Sequence, residues 1–351
     1  MKRTQFLLTL LSVSALSLTS LAQNRNNDTP YQTKAFSGNI KAVRAETSGG
    51  SLTIEGGTDM NAKVEMYVRA NNWNDRLDKS EIEERLRDYD ITIAQEGSTI
   101  VATAKRRGSG MNWKNSLSIS FKFFTPRNVT TDLRTSGGSI QLTALNGSQK
   151  FRTSGGSLNV SDVQGDINGQ TSGGSIHMDR CRNSSTNTNI DLQTSGGSIE
   201  ARSSTGRMRL VTSGGSIRLN DLKGDIDART SGGSIQGEGI EGDIKAGTSG
   251  GGVRLANVAG SLDASTSAGS VDVSLTKVGD YVRLNTSAGS IHVRMPLNKG
   301  MDLNLRGNRV SLPENLSRFE GDIEKDRVRG KLNGGGIPVE IAASAGSVSI
   351  N

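Results

Sequence analysis

Residues 135–152 read TSGGSIQLTALNGSQKFR and residues 153–170 read TSGGSLNVSDVQGDINGQ, two 18-residue units with one opening and one pattern of apolar and polar positions. The opening recurs as TSGGS at Thr171, Thr194, Thr212 and Thr230, as TSGGG at Thr248 and as TSAGS at Thr266 and Thr286. An earlier copy starts at Thr47 and a last one, ASAGS, at Ala343. The step is 18 residues except for 23 after Thr171 and 20 after Thr266. Self-similarity at a fixed short period is the signature of a repeat architecture.

Counting the threonine as position 0, position 5 is apolar in every unit: Ile140, Leu158, Ile176, Ile199, Ile217, Ile235, Val253, Val271 and Ile291. Apolar residues also dominate positions 7, 10, 14 and 16, and position 12 is glycine at Gly147, Gly165, Gly224, Gly242 and Gly260. Each unit therefore predicts two short strands with alternate residues turned inward. Identical units at a fixed step suit stacking of equivalent positions at the strand spacing, so the expected fold is all-β, a single-stranded parallel β-helix with coils of about 18 residues. Right-handed connection follows from the general crossover preference. The hexapeptide helix also has 18-residue coils, but it would place apolar residues six apart, which this spacing does not. Positive φ is the expected reason for the Gly-Gly pairs, and hydrogen bonds between stacked Thr and Ser side chains are expected up the turn.

The chain has 351 residues, 44 glycines, 5 prolines and 13 aromatics. Seven of those aromatics fall in residues 59–126, which do not repeat. The composition divides the chain into 1–22, 23–58 with the first coil, a 59–126 insertion or cap, regular repeats over 127–296, and degenerate coils with a final strand over 297–351. Within the insertion, Val64–Ala70, Tyr89–Gln95, Thr99–Lys105 and Leu117–Phe124 predict strands. Ser80-Glu81-Ile82-Glu83 predicts a capping box opening a short helix.

Lys2 and Arg3 precede an apolar stretch from Phe6 to Leu21, and Ser20-Leu21-Ala22 places small residues where a signal peptidase reads. Cleavage after Ala22 is expected, giving an extracytoplasmic chain, periplasmic, surface-exposed or secreted, with no transmembrane segment after cleavage. The formal charge of +7 then falls to +5, too mild and too interleaved with acids for a nucleic-acid partner. Cys181 stands alone, so no internal disulfide forms, and its place in the apolar position-10 column predicts a buried, inert thiol.

Few residues point to chemistry. His177 and His292 both sit at the outward position 6 and are too far apart for a metal pair. The Gly-Asp-Ile triplets at Asp166, Asp225, Asp243 and Asp322 offer one carboxylate per coil, too few for calcium. No metal or cofactor is expected. Asp191, Arg209, Asp227, Lys245 and Asp263 alternate in sign at position 15, a pattern that either limits like-charge repulsion or supplies the spaced carboxylates of a polysaccharide-active enzyme. Trp73 and Trp113, each flanked by asparagine, together with Arg106 and Arg107 of the basic run after Lys105, are the candidate ligand-binding residues. The alternative is that the tryptophans cover an open end of the stack, which repeat proteins require.

The recurring TSGGSI and Gly-Asp-Ile units, Phe124-Thr125-Pro126 leading to Leu133-Arg134-Thr135-Ser136-Gly137, and Gly336-Ile337-Pro338 before ASAGS carry a family resemblance. Over roughly residues 34–351 the chain resembles the bacterial Toastrack domain, an adhesin-type β-strand repeat, and is similar to the head domains of autotransporter adhesins. The resemblance implies a β-solenoid linked to adhesion or envelope stress, with no catalytic set to carry over. The combined expectation is a non-enzymatic envelope or surface protein that binds a glycan or protein of the envelope or host. The alternative is a β-helix polysaccharide lyase or hydrolase.

Overall fold

A computed structural model describes residues 29–57, 61–71, 77–107, 116–183, 189–314, 316 and 318–351. The expected signal segment, both tryptophans and the five extra residues of the 23-residue unit lie outside the described residues. The remainder is almost entirely β, and its strands join into one continuous, mainly parallel sheet wound into a solenoid.

Equivalent positions of successive units stack in register. Leu158 lies between Ile140 and Ile176, and Met208 between Ile190 and Ile226. Positions 5, 7, 14 and 16 point inward in each coil and position 10 joins them, so the apolar columns make one buried core along the stack. In the coil beginning at Thr153, strand Leu158–Ser161 holds positions 5–8 and strand Ile167–Thr171 begins at position 14. A third side that the periodicity did not resolve lies between them. Asn128, Asn146, Gln164, Arg182, Thr205 and Lys223 form single parallel bridges from coil to coil. From Ile235 onward this side pairs as extended strand, giving the long strands Ile235–Thr248 and Val253–Thr266.

The corners correct the expected role of the glycine pairs. None of the TSGGS glycines has positive φ. A Cβ on the second of each pair would instead meet backbone of the coil below: on Gly156 it would lie 2.0 Å from the Gly138 oxygen, and on Gly215 2.1 Å from the Gly197 oxygen. Close approach, not dihedral freedom, demands that glycine. The first of each pair has more room, its nearest atom lying at 3.5 Å for Gly155 and, at the closest, at 3.1 Å for Gly250. Left-handed backbone occurs at the other two corners. Glycine supplies it at position 12, with φ of 123° at both Gly147 and Gly165. At position 9 mostly non-glycine residues adopt it: Ala144, Asp162, Arg180, Ser203, Asp221 and Asn257, with φ from 47° to 58°.

The threonine of each opening is buried and bridges backbone, not side chain. The Thr212 hydroxyl donates to the Gly197 carbonyl at 2.7 Å and accepts from the Gly215 N–H at 3.3 Å, and the same pair of contacts recurs from Thr135 to Thr266. The serine at position 4 accepts the N–H of the next coil's serine, as in Ser216 N to Ser198 Oγ at 3.3 Å. Thr and Ser thus secure the turn to the coil beneath mainly through main-chain groups; the expected bond between stacked side chains occurs at Ser290 and Ser347, 3.1 Å apart.

At both ends the chain fills its coils out of order. The first strands are β1 (Gln32–Ala35), β2 (Ala42–Thr47), β3 (Leu52–Glu55) and β4 (Lys63–Ala70). They are followed by helix α1 (Lys79–Leu86), β5 (Tyr89–Glu96), β6 (Thr99–Arg106) and β7 (Leu117–Phe124). Strands β2 and β3 pair in parallel with Thr130–Thr135 and Ile140–Thr143 on one side. On the other side they pair with β6 and β7, so the later strands form the outer layer. Antiparallel β5 and β4 extend that layer, and β1 lies beyond β4. The far end mirrors this. Strands Ile337–Ala343 and Ser347–Ile350 pair with Val271–Thr286 and Ile291–Arg294 on one side, and with Met301–Arg306 and Arg309–Ser311 on the other. An antiparallel hairpin, Phe319–Ile323 with Arg327–Leu332, closes the edge, so the triplet at Asp322 belongs to a hairpin strand and not to a coil corner.

The helix starts two residues earlier than its expected box. Asp78 is the N-cap, its carboxylate accepting from Glu81 N at 2.8 Å while the Glu81 side chain accepts from Asp78 N at 3.0 Å. Ile82 and Leu86 share its half-buried face.

Candidate binding surfaces

Arg106 and Arg107, adjacent in sequence, diverge because successive strand residues face opposite ways. Arg107 turns to Asp90, with its guanidinium 2.5–2.6 Å from one carboxylate oxygen. Arg106 instead lines a groove of about 410 Å³ with Ser48, Gly49, Asn71, Tyr89, Ser116, Leu117, Ser136 and Gly137. The floor is firm. The Tyr89 hydroxyl accepts from Leu117 N at 2.8 Å and lies 3.4 Å from the Leu117 carbonyl, and both side chains are buried. Asn71 N donates to Ser116 O at 3.0 Å on the rim. The segments that carry Trp73 and Trp113 therefore depart from neighbouring points of this groove.

The second surface is the outward position-15 column, longer than the five residues noticed in the sequence. Its register runs Arg44, Asp132, Lys150, Asn168, Asp191, Arg209, Asp227, Lys245, Asp263, Arg283, Glu340. It continues through Asn304, Arg329 and Asp322. Charge alternates from Arg44 to Asp322, with Asn168 and Asn304 as neutral rungs, and beyond Arg44 the next rung is Val101. Arg209 lies 3.1 Å from Asp191, Arg229 2.9 Å from Asp227 and Arg283 3.6 Å from Glu340. Beside the middle of this column is a groove of about 560 Å³ lined by Asn189, Arg207, Asp225, Asp243, Tyr281 and the column's Asp191, Arg209, Asp227 and Lys245. Among its carboxylates, Asp191 has the guanidinium of Arg209 beside it at 3.1 Å and Asp225 that of Arg207 at 3.5 Å.

The remaining polar candidates are structural or solvated. His177 is exposed and 3.3 Å from Glu200. Burial alone would raise the Glu200 carboxyl, but Arg202 and His177 hold it below its ordinary range. His292 lies six rungs along the same column, about 29 Å away at the strand spacing. Among the described residues no three His, Cys, Asp or Glu side chains gather as a metal-ligand set. Cys181 is buried, and burial pushes its thiol up to about 12. Among the described residues no helix is long and apolar enough to cross a membrane.

No curated protein matches the chain in sequence. Several solved structures share similarity with it, among them the following three. A provisionally named cell adhesion protein of Clostridium sporogenes is 12% identical over 92% of this chain and 99% of its own, with a TM-score of 0.19. A provisionally named adhesin of Bacteroides fragilis is 14% identical over 75% and 96%, with a TM-score of 0.31. A provisionally named lipid-binding protein of Parabacteroides distasonis is 11% identical over 93% and 98%, with a TM-score of 0.33. These superpositions are too loose to bear on function. The family model described as Toastrack DUF4097 matches residues 241–351, the last coils together with the back-filled end. Over those residues the chain is thus similar to the Toastrack family, and the same repeat continues on the N-terminal side of the match.

Proposed function

We propose that this chain is an exported, non-enzymatic protein of the cell envelope or surface that acts by binding, with the solenoid as a rigid spacer behind the binding site. The observation that carries the reading is the Arg106 groove. One cation and an apolar floor of Tyr89 and Leu117 sit at the extreme end of the stack, beside the departure points of both tryptophan-bearing segments. Thirteen parallel layers at the strand spacing hold that end roughly 60 Å from the other. An aromatic and cationic groove on a rigid rod suits a glycan or protein of the envelope or host.

Glycan-array and envelope pull-down binding by the chain lacking residues 1–22 tests this. Arg106→Ala, Trp73→Ala and Trp113→Ala are expected to weaken capture, and capture unchanged in all three removes the groove from the function. The enzymatic alternative draws on the groove beside Asp191, Asp227 and Asp263. It requires depolymerisation of a polysaccharide that is lost in Asp227→Asn.

A further inference from the structure

Between residues 127 and 296 the sequence holds two aromatics, Phe151 and Tyr281. Phe151 is in the core; Tyr281 is turned outward and half-buried. Its position results from a local irregularity in the ladder. Gly260 pairs with Val278 and Leu262 with Val282, so Ser261 alone faces Gly279, Asp280 and Tyr281. The two extra residues of this 20-residue unit are the bulge. Asp280 N donates to the buried Ser261 Oγ at 3.1 Å and anchors it. Bulges re-aim side chains next to binding sites, and this one places the ring at the end of the 560 Å³ groove.

The ring is held and its surroundings are polar. The Arg283 guanidinium lies 5.0 Å from its centroid. Burial first, then Asp243 and Asp263, raise the Tyr281 hydroxyl above its ordinary value, which places both carboxylates near it. Lys245 lies between Asp227 and Asp263 in register, one rung from each. Neither Asp243, Asp263 nor Lys245 forms an ion pair among the described residues, unlike Asp191 and Asp227 on the same face. The groove thus offers an aromatic face, one uncommitted acceptor, Asp243, and one uncommitted donor, Lys245, among lining charges of both signs.

We propose that this groove is a binding site for a neutral hexose glycan, with Tyr281 stacking on a pyranose ring. Asp243 accepts a sugar hydroxyl and Lys245 donates to ring or hydroxyl oxygens. Alternating signs cancel the long-range field, which disfavours a polyanion or polycation. A polyhydroxylated ligand needs donors and acceptors in alternation, and the apolar face of its ring matches an aromatic. The site is separate from the Arg106 groove and does not rest on it.

Titration calorimetry of the chain lacking residues 1–22 with cellohexaose and maltohexaose is the test, with spermine as a cationic probe. At least one hexasaccharide is expected to bind, about tenfold more weakly to Tyr281→Ala and near normally to Tyr281→Phe. Asp243→Asn is expected to weaken binding as well, and melting curves establish that the variants fold. Absence of hexasaccharide binding overturns the proposal, as does preference for spermine. Binding kept in Tyr281→Ala but lost in Arg106→Ala also overturns it, by assigning the glycan to the other groove.

Discussion

Replacing Thr212 by valine keeps the shape of a side chain that is 1% exposed and removes only its hydroxyl. That hydroxyl donates to the Gly197 carbonyl at 2.7 Å and accepts the Gly215 N–H at 3.3 Å, linking backbone of two coils. Valine leaves both groups without that partner. An unsatisfied buried group costs about 1–3 kcal/mol, the longer contact contributes at the low end, and the added methyl returns about 0.8 kcal/mol. The expected net loss is about 1–3 kcal/mol. Thr212→Ser keeps both contacts and loses one methyl, about 1 kcal/mol, so its local effect at the turn is small. Amide hydrogen exchange separates the two: the Gly215 amide is expected to exchange roughly 5- to 150-fold faster in the valine variant and near normally in the serine variant. If Gly215 stays as protected in Thr212→Val as in the parent chain, the threonine is not what secures the turn.

Gly169 sits against Phe151, and a Cβ there would lie 2.4 Å from the ring and 2.9 Å from Leu192 Cδ2. Gly169→Ala is expected to destabilise by about 1–3 kcal/mol, and Phe151→Leu in the same chain to recover much of that; additive losses in urea titration would contradict the contact. The Cys181 thiol keeps its proton up to about 12 in the folded chain, against an ordinary value of 9.0. The folded state therefore holds a proton that the unfolded state releases, so the thiol's contribution is intact below pH 9 and is lost progressively as pH rises toward 12. By pH 10.5 the loss is about 2 kcal/mol; melting curves of Cys181→Ala should lack this part of the alkaline slope, and equal slopes would refute it. Val348 is fully buried between Ile291 and Val310. Val348→Asp is expected to open the whole far end, seen as new proteolytic cleavage between residues 297 and 336, whereas cleavage confined to the last few residues would show ordinary fraying.

The winding of the chain was legible because burial imposes a period. Ile140, Leu158 and Ile176 must face one interior, and only stacked coils satisfy that with an 18-residue step. The corners were harder to read. Ala144, Arg180 and Ser203 adopt left-handed backbone without any composition that announces it, since the demand comes from the closure of the coil and not from the residue. The second glycine of each pair was visible, yet its cause was not, because the atom it must avoid belongs to the preceding coil. The back-filled ends depend on pairings such as Ala42 with Thr130, far apart in sequence and outside the repeat. Arg106 and Arg107 were inseparable as letters, while strand alternation gives one to a groove and the other to Asp90. Tyr281 did leave a signal, the 20-residue step after Thr266, which marks two residues more than a coil needs.

The alternating column has a bearing on how such a rod can vary in length. Excising residues 212–229 would join two otherwise compatible coils but set Arg209 beside Lys245, like charge upon like. Excising residues 212–247 would set Arg209 beside Asp263 and keep every neighbour opposite. Threonine, serine and isoleucine columns accept either cut, so the charges alone distinguish odd from even. Recombination within this gene would then be graded by parity: the repeat unit of the backbone is one coil, whereas the repeat unit of the electrostatics, and the increment of length most readily gained or lost, is two coils, roughly 10 Å of reach.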